Sequence, residues 1–129
     1  MSQFTIQKLP QEPILVAREM DSYSPVLHMG ALIDAVIVEV GKFERPGYAI
    51  FVMKQAGYSF NEIMEGAALV RDKGEVLRTH PMYRGTLFVT TFDINKNAIG
   101  GMSHEQLGKL FYHVFDSVDE ALTFARAHL

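Results

Sequence analysis

The sequence predicts one α/β domain: a mostly parallel, mixed sheet of about four to five strands with helices packed on it. Short apolar or β-branched runs recur along the chain, and between them the apolar residues switch to helical spacing. Helix-start signals stand directly in front of those helical stretches. Strands that alternate with helices require crossover connections, and crossovers produce parallel pairs. With 129 residues, 48% of them hydrophobic and 21% charged, the chain has the material for one core, and no linker or repeat argues for a second.

The first apolar run, Ile14 to Ala17, follows Pro13 and reads as a buried strand that Phe4 to Gln7 can pair with. Ser24-Pro25 then places a capping hydroxyl before a proline at the first helical position. Met29, Leu32, Ile33, Val36, Ile37 and Val40 lie on one helical face, and Gly41 offers a stop, so a helix is expected over 25–41. The competing reading makes 35–40 a strand, because Val and Ile lose rotamer freedom in helices.

Tyr48 to Met53 is apolar throughout, the pattern of a central strand buried on both faces. Ser59 with Glu62 forms a capping box that opens a helix with Phe60, Ile63, Met64, Ala67 and Val70 inward and Gly74 as terminator. Another turn is expected over 75–80 before Pro81, then a β-branched strand over 86–91. Gly100-Gly101 breaks the following stretch, so 93–111 is expected to be an interrupted helical connection, with Ser103 and Gln106 as a further box. Tyr112 to Phe115 supplies a short last strand. Ser117 with Glu120 opens a final helix facing inward through Val118, Ala121, Leu122 and Ala125.

Composition removes several function classes. A net charge of −3 without a basic cluster gives no footprint for neutralising phosphates, so a nucleic-acid partner is not expected. The absence of cysteine removes disulfides, thiolate catalysis and thiolate metal sites, and suits a reducing compartment. No apolar run approaches the roughly 18 residues of a membrane span, and Met1 to Lys8 lacks the pattern of a secretory signal, so a cytoplasmic protein that is not integral to a membrane is expected.

Motifs for chemistry are missing as well. The five histidines show no spacing that would place two imidazoles on one helical face, and His104-Glu105 has Gly108 where a zinc-protease helix needs its second histidine. No metal and no cofactor is expected. The chain has no nucleophile elbow, phosphate-binding loop or dinucleotide fingerprint.

Ligands of open parallel sheets bind beyond the carboxyl ends of the strands. The candidate binding residues are therefore Asp21, Ser22, Lys54, Gln55, Thr91 and Asp93, together with Ser59, whose place at a helix N-terminus makes it an anion contact or a phosphorylation site as well as a cap.

The Tyr48 to Met53 strand, the helix capped at Ser59, the strand entry from Met82 to Thr91 and the closing Phe115-Asp116-Ser117-Val118-Asp119-Glu120-Ala121-Leu122 resemble STAS-like proteins, relatives of anti-sigma-factor antagonists and of the cytoplasmic domain of sulfate transporters. The resemblance implies a mixed, largely parallel sheet and a non-enzymatic role in binding a partner protein or small ligand. The expected protein is a stand-alone regulatory or interaction domain, with a homodimer as one arrangement. It also matches Ser59 to the phosphorylated serine of some members, although Met53-Lys54-Gln55 replaces their acidic strand end. Two other roles compete with it: carriage of a small apolar molecule in a cavity lined by the many Met and Phe side chains, and catalysis by strand-end carboxylates such as Asp93.

Overall fold

The computed structural model describes residues 3–53, 59–91 and 112–129. Among them are the strands β1 (Phe4–Lys8), β2 (Ile14–Glu19), β3 (Gly47–Val52), β4 (Tyr83–Val89) and β5 (Tyr112–Phe115), and the helices α1 (Pro25–Val40), α2 (Phe60–Arg78) and α3 (Val118–Ala127). The strands form one sheet in sequential order, β1-β2-β3-β4-β5. β1 is antiparallel to β2, with Ile6 opposite Ala17, and the other pairs are parallel. The predicted α/β class with a mostly parallel, mixed sheet is thus the observed one.

Sequential order decides where the helices go. Right-handed crossovers that always step in the same direction leave their helices on one face of the sheet. α1 and α2 accordingly share a core with Leu15, Ala17, Ala49 and Phe51. α3 closes the opposite face, where Ala121 and Ala125 are buried against Ile14, Val16, Ile50 and Leu87. β2 and β3 are covered from both sides, which is why Ile14 to Ala17 and Tyr48 to Phe51 carry no polar alternation.

The segment 35–40 is helical. Leu32, Val36 and Val40 lie fully buried, and each such side chain gains about 1.5–3 kcal/mol from burial. That exceeds the few tenths by which valine disfavours a helix. Ser24 behaves differently from expectation: its hydroxyl makes no capping bond, and its backbone N–H donates to His28 Nδ1 instead.

α2 has the full capping box, with Ser59 Oγ accepting from the Glu62 N–H at 3.1 Å and Glu62 Oε1 accepting from the Ser59 N–H at 2.9 Å. The helix does not stop at Gly74 but continues to Arg78, so the extra turn expected over 75–80 is part of it. Gly74 is buried in the interior of α2, where packing rather than a chain reversal accounts for the small residue. Met64, expected inside, is 41% exposed.

β4 starts earlier and ends earlier than the 86–91 pattern suggested, because Tyr83 pairs with Gly47 at its entry. The register shifts at that point. The Gly47 N–H donates to the Met82 carbonyl at 2.9 Å while the Tyr48 N–H donates to Pro13 at 3.0 Å. A Cβ on Gly47 would sit 1.7 Å from the Pro13 carbonyl oxygen, so only glycine fits. Ser117 caps α3 through the Glu120 N–H at 3.1 Å, one half of the expected box. The connection expected over 93–111 lies outside the described residues.

Candidate functional site

At the carboxyl end of β2 the chain leaves the sheet at Glu19 and turns through Met20, Asp21 and Ser22, closed by a hydrogen bond from the Tyr23 N–H to the Met20 carbonyl at 2.9 Å. Tyr23 anchors the turn. Its ring is buried, and its hydroxyl donates to Met29 Sδ on α1 at 3.3 Å. Burial, followed by the charge of Glu19, pushes the phenol well above its ordinary range, so it stays protonated.

A buried anchor with a short turn on either side leaves the flanking side chains outward. Asp21 and Ser22 are exposed, Met20 is 43% exposed, and Val26 and Leu27 at the start of α1 are 48% and 76% exposed. Exposed large apolar side chains, close in sequence across this turn and the start of α1, are the feature that sequence reasoning missed. Leu27 falls off the Met29, Leu32, Ile33 stripe, and an apolar residue off the stripe is the signal that could have found it.

The other candidates on this rim are placed separately. Ser59 is exposed at the start of α2, with its side chain engaged in the box. Thr91 is exposed beyond the end of β4, next to the buried Thr90, whose N–H donates to the Phe115 carbonyl at 3.0 Å. Asp21, Ser22, Ser59 and Thr91 therefore share one end of the sheet and differ in their strand of origin. Lys54, Gln55 and Asp93 lie outside the described residues.

Between the sheet and the two helices is a cavity of about 60 Å³, lined by Met29 and Ile33 of α1, Val70 and Leu77 of α2, and Phe51 and Phe88 of the sheet. A cavity that encloses a benzene-sized ligand measures about 150 Å³. The space here is less than half of that.

A second, polar pocket of about 150 Å³ lies between the β1–β2 turn and the segment before β3, at the opposite end of the sheet. Lys8, Glu12, Glu44 and Arg45 line it. Arg126 of α3 grips Glu12 through two hydrogen bonds, of 2.9 and 3.1 Å. That grip holds the Glu12 carboxyl below its usual range and raises the guanidinium. Lys8 Nζ, on the same wall, donates to the Leu9 carbonyl at 3.1 Å.

Tyr83, on β4, shares a hydrogen bond with the Thr86 hydroxyl, and burial pushes its phenol up strongly. All four of these shifts, on Glu12, Tyr23, Tyr83 and Arg126, move their groups away from neutral pH. Each group then holds one protonation state there, which is the opposite of what a general acid or base requires. Among the described residues no group of three or more His, Asp or Glu could hold a metal ion. No described helix is long and apolar enough to cross a membrane. The chain matches no protein-family model, no curated protein and no solved structure.

Proposed function

We propose that this chain is a non-enzymatic interaction domain that binds a protein partner at the carboxyl-end rim of its sheet. The observation that carries the reading is the Tyr23-anchored turn with Met20, Val26 and Leu27 held out to solvent beside Asp21 and Ser22. Apolar side chains grouped on a surface and rimmed by polar ones favour association with another macromolecule. The STAS-like resemblance supports the same kind of role, and a second copy of this chain is one candidate partner. The cavity between the sheet and the two helices, at about 60 Å³, is smaller than one that encloses a benzene-sized ligand, so the rim and not this cavity carries the reading.

The test is site-specific photocrosslinking in the cells that make the protein. A benzophenone side chain at Leu27 is expected to trap a discrete product, and the same group at Val38, 60% exposed on α1, is expected to trap none. Equal labelling from both positions, or from neither, would count against a rim interface.

A further inference from the structure

The first turn of α1 is closed by an unusual acceptor. The Ser24 hydroxyl makes no cap bond, and the Ser24 N–H donates to His28 Nδ1 at 2.8 Å. A backbone amide always carries its hydrogen, so the ring nitrogen must be the acceptor, and an imidazole nitrogen accepts only when it carries no proton. The bond therefore exists only with neutral His28, its proton on Nε2.

Protonation would remove the acceptor and place a positive charge at the N-terminal end of α1, where the helix dipole is already positive. The first turn of α1 holds no acidic residue to offset it. Among the described residues, other titratable groups lie on the elements around His28. Tyr23 lies with its ring 5.8 Å away and keeps its proton, while Glu19 and Asp21 belong to the strand end and turn before it. On α2 the group is Lys73, paired at 3.0 Å with Asp34, which lies about 9 Å further along α1. β1 and β3 face this layer with Phe4, Ile6 and Phe51, which do not titrate.

We propose that His28 is a proton-operated clasp: neutral, it fixes the start of α1 and the rim turn, and protonated, it releases them. The chain then presents Met20, Val26 and Leu27 in a fixed arrangement only while His28 is neutral. As a control of binding the proposal rests on the rim being the interface, whereas the clasp itself does not.

The experiment is an NMR pH series on the full chain, reading the His28 ring nitrogens together with the Ser24, Val26 and Leu27 amides. At high pH Nδ1 is expected to be the unprotonated nitrogen and the Ser24 amide to be protected. As His28 takes up its proton, Ser24 exchange is expected to rise about fivefold, as for loss of one ordinary hydrogen bond, with Val26 and Leu27 shifting in step. His28→Asn, which keeps an acceptor near the Nδ1 position and cannot titrate, is expected to abolish the step. His28→Ala is expected to expose the Ser24 amide at every pH. A proton on Nδ1 at high pH, or Ser24, Val26 and Leu27 amides unmoved while His28 titrates, would overturn the clasp. Neither readout involves a partner, so failure of the crosslinking test leaves this one standing, and the reverse.

Discussion

The Tyr23 hydroxyl donates to Met29 Sδ at 3.3 Å, joining the turn after β2 to the second turn of α1. Sulfur is a weak acceptor, so most of the value of Tyr23 lies in its buried ring. Tyr23→Phe is expected to cost less than about 1 kcal/mol and Tyr23→Ala about 3–5 kcal/mol in denaturant unfolding. Equal costs for the two would mean that the hydroxyl, not the ring, holds the turn.

Tyr23 and Tyr83 both have phenols raised above the ordinary value of about 10 by burial. The folded state therefore keeps protons that the unfolded chain gives up. The stabilisation is complete below about pH 10 and is lost as pH rises, by up to about 1.4 kcal/mol per pH unit for each phenol. In an alkaline titration followed by tyrosinate absorbance, these two groups are expected to ionise only with unfolding. Early, reversible ionisation of all five tyrosines would contradict the burial.

Three serines stand before the described helices, and the structure separates them. Ser59 and Ser117 accept from the Glu62 and Glu120 N–H groups at 3.1 Å, whereas Ser24 makes no such bond. Replacement by alanine is expected to cost about 1 kcal/mol at 59 and 117 and under about 0.5 kcal/mol at 24. Thermal unfolding of the three variants checks the order.

Two glycines are expected to respond in opposite directions. Gly47→Ala forces a Cβ to within 1.7 Å of the Pro13 oxygen and is expected to cost about 3 kcal/mol or more. Gly30→Ala puts its Cβ at 3.5 Å from the Lys73 side chain, an ordinary contact, and relieves a helix-interior glycine, so a gain of about 0.5–1 kcal/mol is expected. A Gly47→Ala denaturant midpoint equal to that of the parent chain would contradict the close approach at Pro13, and a lowered midpoint for Gly30→Ala would contradict the open site on α1.

The fold was largely legible because its signals are local and strong. The Tyr48 to Phe51 run and the Leu32, Val36, Val40 stripe record burial directly. The misread boundaries have a common cause, since tertiary packing overrode local punctuation. Gly74 looked like a stop, yet α2 had a layer to pack against and ran on to Arg78. Ser24 looked like a cap, yet an imidazole one turn later took the amide.

The site was legible as a location and not as a surface. Strand ends can be read from where apolar runs stop, which placed Asp21, Ser22 and Thr91 at one end, and the capping box with Glu62 placed Ser59 at a helix start. The exposure of Met20, Val26 and Leu27 depends on how Tyr23 is buried, a relationship that spacing does not encode.

The most direct measurement is native mass spectrometry of the chain taken from the cells that make it, set against its denatured mass and against Leu27→Asp. The substitution is on an exposed position and is expected to change stability by no more than about 0.5 kcal/mol. The account predicts a protein-sized excess mass, or a dimer, that is lost on denaturation and in the variant. A bare monomer in both forms, or a small-molecule mass that Leu27→Asp leaves in place, would contradict it.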